Sequence, residues 1–303
     1  MSFSEFLWAT GNDFLAEKLD ALDLSPEIVT EAKRQLVNYY YVGGMPQVVQ
    51  TFINEQSLVP VRKIQEQIIQ TYIADFPKYN ARINVERVEK VFYATVNQLG
   101  KKLIYQRLDS ESNSRDIKKA LELLIDARVL LKCVHSESNT VPLAGEMDQS
   151  IFKLYFLDIG LVTAIMRLDF EILIQEMNQN FNTKGMLAEQ FVAQHLAYID
   201  NERRGPQLFY WLRDKGTQKG EIDFILQKQS EIIPVEVKGT ATGHLKSLFY
   251  FCRDKNKKLA IKVSLDNYSV TDTSHQIEGH EVKVRLIILP QYAISSIYKI
   301  TGK

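Results

Sequence analysis

Cysteine is almost missing from this 303-residue chain, which has only Cys133 and Cys252. The two are far apart and lack the spacing of a metal-binding pair. A disulfide framework and a zinc site are therefore excluded, and a reducing cytoplasm is the expected compartment. No apolar run approaches the roughly 18 residues a bilayer span needs, and no secretory leader is recognisable, so no membrane partner is expected. Charge of one sign is also missing: 37 Lys and Arg balance 37 Asp and Glu, which leaves no global field to gather a polyanion. The Gly-x-x-x-x-Gly-Lys-Ser/Thr loop that cradles phosphates is absent, so ATP binding is not expected in this chain. Gly43-Gly44 has no lysine beside it and follows a helical pattern, which makes it a helix stop. Internal repeats and low-complexity tracts are lacking too.

What is present is ordinary globular material: 45% hydrophobic and 24% charged residues, enough for a sizeable core and for two or three domains. The charge is unevenly spread. Residues 207–303 carry more Lys and Arg than Asp and Glu, and residues 1–206 the reverse.

The most informative stretch is Gly220-Glu221-Ile222-Asp223-Phe224-Ile225-Leu226, followed by Ile232-Ile233-Pro234-Val235-Glu236-Val237-Lys238. Both pieces alternate with a period of two, as half-buried strands do. Ile222, Phe224 and Leu226 are expected on one face, with Glu221 and Asp223 on the other. Val235 and Val237 likewise oppose Glu236 and Lys238. A turn at Gln229-Ser230 sets Asp223 opposite Glu236 and Glu221 opposite Lys238; slipping by one residue would separate the two carboxylates. Two carboxylates about 5 Å apart repel by roughly 3 kcal/mol at an effective dielectric near 20. A fold keeps such a pair with a cation, a shared proton or full solvation. One reading is a divalent metal held by Asp223 and Glu236, with Lys238 orienting a water. The other is a solvated strand face with cross-strand ion pairs. The spacing leaves both open.

The rest of the chain falls into three parts. Residues 1–81 read as helices: Ser25-Pro26 starts one, which stops at Gly43-Gly44, and Met45-Pro46 starts the next. Tyr39, Tyr40 and Tyr41 suit helix packing better than base stacking, because nothing basic interleaves them. Residues 82–150 read as helices followed by a hairpin, the order of a winged helix. Val88, Val91, Phe92, Thr95 and Val96 share one face, and a helix capped by Asn113 or Ser114 runs to Asp126. Arg115, Lys118 and Lys119 stand at its exposed start as candidate DNA contacts, diluted by Asp116 and Glu122. Beyond residue 151 come a helix near Leu161–Arg167, a polar link, a long helix over Gly185–Tyr198, a strand over Gln207–Arg213, the Asp223/Glu236 hairpin, a helix from His244 to Arg253, and strands near Leu259–Val263 and Val284–Leu289.

Asp223 lies thirteen residues before Glu236-Val237-Lys238, and the set resembles the PD-(D/E)XK nuclease superfamily, whose Asp, Glu and Lys surround magnesium on adjacent strands. The resemblance adds Glu189, in Gly185-Met186-Leu187-Ala188-Glu189, as a helix-borne metal carboxylate. More widely, Ser2-Phe3-Ser4-Glu5-Phe6-Leu7, Gly43-Gly44-Met45-Pro46, Lys153-Leu154-Tyr155-Phe156-Leu157-Asp158-Ile159-Gly160-Leu161, Glu221-Ile222-Asp223-Phe224 and Pro234-Val235-Glu236-Val237-Lys238 resemble, in order, the C-terminal portion of a microbial AAA-type ATPase family. That resemblance implies an α+β multidomain fold. A helical region would occupy residues 1–81, a winged helix-turn-helix 82–150, and a restriction-endonuclease-like α/β domain with a mixed sheet 151–303. It implies Glu189, Asp223 and Glu236 as ligands of Mg2+ or Mn2+, Asp223, Glu236 and Lys238 as catalytic, and DNA and an AAA-type ATPase module as partners. Whether such a module cleaves DNA, or is a catalytically silent DNA- or protein-binding regulator of the ATPase, is left open at this level.

Overall fold

A computed structural model describes residues 1–79, 84–178, 183–199, 207–213, 219–239 and 245–301. The expected boundary at 81/82 and the expected helix start at His244 lie outside the described residues.

The chain begins with helices α1 (Phe3–Ala9), α2 (Asp13–Ala21), α3 (Pro26–Val42), α4 (Pro46–Glu55), α5 (Val59–Tyr79), α6 (Val85–Thr95) and α7 (Ser114–Asp126). Local chemistry sets their ends. The Ser25 hydroxyl accepts the Ile28 amide ahead of Pro26, and Asn113 caps α7 through the Asp116 amide. Gly43, at φ +77°, ends α3, and a Cβ there would lie 2.2 Å from Asp158 Oδ1. The Gly44 N–H donates to Asp158 Oδ2 at 2.6 Å, and the Leu161 N–H donates to Oδ1 at 3.1 Å. Two of the sequence stretches singled out above are thus a single buried joint. Tyr39, Tyr40 and Tyr41 are buried in the core; they are packing residues.

Strands β1 (Leu130–Ser136) and β2 (Met147–Phe156) follow, then helices α8 (Ile159–Ile165), α9 (Phe170–Asn178) and α10 (Thr183–Tyr198). The chain continues through strands β3 (Leu208–Arg213), β4 (Gly220–Lys228) and β5 (Glu231–Val237), helix α11 (Lys246–Asp254), strands β6 (Leu259–Ser264), β7 (Ser269–Ile277) and β8 (His280–Pro290), and helix α12 (Ile297–Ile300). Among the described residues these eight strands form one mixed sheet, ordered β2-β1-β3-β4-β5-β6-β8-β7. Helix α10 packs on one face, against β1, β2, β3 and β5, in the cluster that also holds Phe224, Leu226, Ile233 and Val235. Helix α11 covers the other, with Trp211, Ile222, Ile225 and Ile232.

The fold is α+β, as expected, but its division is different. The boundary expected at 150/151 falls inside β2, and β1 pairs in parallel with β3. The hairpin read as a wing is therefore the end of the common sheet, because the backbone groups along β1's other edge are satisfied by β3. One apolar cluster runs from Phe3 to Ile297, so the three expected units share a core. Helix α9 occupies the expected polar link, and β7, which is not among the expected strands, forms an antiparallel hairpin with β8.

Candidate functional site

The β4–β5 hairpin has the register its sequence predicts. Lys228 pairs with Glu231 across Gln229-Ser230, and Phe224 pairs with Val235, which places Asp223 next in line with Glu236. The expected face assignment needs one correction. Between Phe209 and Trp211 the pairing of β3 with β4 shifts, so Ile222 packs with Ile225 and not with Phe224 and Leu226. A bulge of this kind lets neighbouring side chains share a face and bends the strand. The next amide on β5, Val237 N–H, donates to Asp223 Oδ2 at 2.8 Å. A side-chain carboxylate thus takes a backbone donor at the point where the β4–β5 pairing ends.

Around that point the structure gathers a set of charges. Asp223 and Glu236 are buried, at 8% and 5% exposure, which removes the solvated-face reading. Lys238 Nζ lies 2.5 Å from Glu236 Oε1, whereas Glu236 Oε2 is buried without a hydrogen-bond partner among the described residues. Glu189, from α10, accepts a hydrogen bond from the Tyr155 hydroxyl at 3.2 Å. Gly100, at φ +69°, closes over it: a Cβ there would come within 2.5 Å of Glu189 Oε2.

The sequence reading missed the cation at the centre of this cluster. Lys153, in β2, has no exposed surface, and its ammonium contacts Glu221 directly. Lys153 Nζ lies 3.7 Å from Asp223 Oδ1 and 3.9 Å from Glu189 Oε2, and 5.1 Å from the centre of the Tyr210 ring. Helix α10 touches β1, β2, β3 and β5, so the sheet wraps it and brings β2 towards β4. Glu221 accordingly meets Lys153; Lys238 pairs with Glu236 on its own strand.

The electrostatics follow from burial and like charge. Burial first, then the Asp223 charge, push the Glu189 carboxyl up to about 8, against the pull of Lys153. The same two causes push Glu236 up to about 8, against Lys238. Burial alone would lower Lys153, but Glu189, Asp223 and Glu221 outweigh it and hold its ammonium above the usual lysine range. Lys238 is also raised, with Glu236 outweighing its burial. Both lysines are therefore cations at neutral pH, and neither serves as a base.

Among the described residues, no three His, Cys, Asp or Glu side chains form a ready metal cage. On the α7 surface, Arg115, Lys118 and Lys119 are exposed. Lys118 lies 3.8 Å from Glu122 and Lys119 lies 3.7 Å from Asp116, so part of that charge is met within the helix. Cys133 and Cys252 are buried and free. No helix among the described residues is long and apolar enough to cross a membrane.

Residues 33–171 match a domain of unknown function, DUF8612. Residues 184–291 match another, DUF4143, a domain often found C-terminal to AAA ATPases. No curated protein and no solved structure matches the chain. The charged cluster draws on both matched segments: Lys153 and Tyr155 come from the first, and Glu189, Glu221, Asp223, Glu236 and Lys238 from the second.

Proposed function

We propose that this chain is a nuclease-like module whose buried carboxylates bind a divalent cation and act on DNA phosphodiesters. One observation carries the reading: among the described residues Glu236 Oε2 is buried without a partner, beside Asp223, at the point where two strands part. An unpaired buried oxygen is costly, and a hard cation is the partner its chemistry suits. The donors in reach are all oxygens, which fits Mg2+ or Mn2+ and not zinc. Asp223 and Glu236 would hold the ion. Water and substrate phosphate would complete the shell around the two carboxylates, as is usual for magnesium.

A bound ion would supply an acidified water and a charge for a phosphoryl oxygen. The protein's own part is positional. Lys238 pins Glu236 by Oε1 and leaves Oε2 free, and its ammonium can orient a water or meet developing negative charge. Asp223 is fixed by the Val237 amide, and Glu189 by Tyr155 and Lys153. The test is cleavage of single- and double-stranded DNA with Mg2+ or Mn2+. Lys238→Ala should keep metal binding and lose hydrolysis. Metal binding without hydrolysis by the unmutated protein would sink the enzymatic part of the proposal.

A second reading has its own support in the exposed basic start of α7. In it the nuclease-like fold is catalytically silent and binds DNA or protein, regulating an AAA-type ATPase partner. Reversing the charges of Arg115, Lys118 and Lys119 should then weaken duplex binding and flatten its dependence on salt. An unchanged salt slope would remove α7 from the interface.

A further inference from the structure

We infer that Lys153 is a resident cation of the carboxylate cluster, occupying among Glu189, Glu221 and Asp223 the place a second divalent ion would need, so that the site takes a single ion at Asp223 and Glu236. The inference rests on the metal-binding reading above and adds to it a stoichiometry and a role for a residue outside the DUF4143 segment.

Charge balance is the first argument. With every carboxyl ionised, as metal binding requires, the four carboxylates (Glu189, Glu221, Asp223, Glu236) exceed the two ammonium groups (Lys153, Lys238) by two negative charges. One divalent ion cancels that excess; two would leave the cluster positive in a largely buried setting, where uncompensated charge is expensive. Geometry is the second. Lys153 has no exposed surface, lies opposite Cys133 in the β1–β2 pairing, and holds its ammonium near the Tyr210 ring. It is anchored in the sheet by its place in β2.

The arrangement assigns the carboxylates different tasks. Glu236 has the unpartnered oxygen and Asp223 adjoins it, so these two are the ligands. Glu189 is already held by the Tyr155 hydroxyl and the Lys153 ammonium. It is a positioning residue, not the metal ligand that the resemblance implied. A lysine also differs from a bound ion in that it cannot dissociate, so Lys153 stays among Glu189, Glu221 and Asp223 when no metal is present.

The experiment is a Mn2+ titration followed by calorimetry and by electron paramagnetic resonance of the free ion. The unmutated chain should bind one Mn2+, and Lys153→Met should bind two. If Lys153→Met unfolds in chelator, Mn2+ should restore its fold. A Lys153→Met variant that still binds one ion, or an unmutated chain that binds two, would overturn the inference. Two further variants decide the matter even if Lys153→Met never folds. Glu189→Gln should keep its single ion with an affinity within about threefold of the unmutated chain, and Glu236→Gln should lose the ion; a tenfold loss corresponds to about 1.4 kcal/mol. Equal loss in both would make Glu189 a ligand and overturn the assignment. No ion bound by any of these proteins would overturn the metal reading itself and this inference with it.

Discussion

Two buried carboxyls pushed up to about 8 make the metal-free protein sensitive to pH in a direction that can be worked out. Glu189 and Glu236 in the unfolded chain titrate near the ordinary 4.5. Between that value and about 8, the folded state holds protons that the unfolded state has released. Stability is therefore fully present below the unfolded value and falls as pH rises through this window, by roughly 1–2 kcal/mol per pH unit for each proton retained. The two groups share the repulsion of Asp223 and titrate as a coupled set, so one proton is the conservative count. His195 works with the opposite sign: burial lowers it to about 4, so its contribution grows as pH rises and is complete by about 6.5. The clean window is thus pH 6.5 to 8, where one retained proton gives an expected loss of about 2 kcal/mol, or roughly 3–4 °C in Tm for a chain of this length. Urea and thermal denaturation in EDTA measure it. Glu236→Gln cannot ionise and should flatten the slope, and saturating Mg2+ should stabilise most at the high end. Stability that is flat or rises from pH 6.5 to 8 in the unmutated protein, or a Glu236→Gln slope equal to it, would refute the reasoning.

Gly100→Ala should destabilise by about 1–2 kcal/mol, since a side chain there meets both a positive φ and the Glu189 carboxylate; the shift in urea midpoint reads it. Asp158→Ala strands the Gly44 and Leu161 amides in the core and should cost about 3 kcal/mol or more, whereas Asp158→Asn should cost less. An Asp158→Ala midpoint within error of the unmutated protein would remove the joint between α3 and α8 from the account.

What could be read in the sequence was whatever depends on local chemistry. The Ser25-Pro26 helix start, the Gly43 stop and the Phe224↔Val235 register all follow from capping, left-handed glycine and a short polar turn. The bulge at Asp223-Phe224 was not legible, because period-two reading assumes an unbroken pleat and groups Ile222 with Phe224. Strand β7 escaped because Ser269–Ile277 is mostly exposed and offers little apolar alternation. The single sheet was hidden by distance: β1 joins β3 across about seventy residues, and no local signal separates a free wing from a sheet edge. Lys153 had a signal that went unused. A lone charge within the apolar run Phe152 to Phe156 needs a buried partner, but only the folded chain shows that the partners are Glu189, Glu221 and Asp223.

The central claim is that Asp223 and Glu236 bind a divalent cation, and thermal denaturation of Asp223→Asn beside the unmutated protein, each with and without Mg2+ or Mn2+, tests it most directly. A ligand that binds only the folded state stabilises it by about 3 kcal/mol at a hundredfold excess over Kd. The account predicts a clear rise in Tm for the unmutated protein and none for Asp223→Asn, which keeps an oxygen for the Val237 amide but loses the anionic donor. No metal-induced rise in the unmutated protein, or the same rise in both, would contradict it.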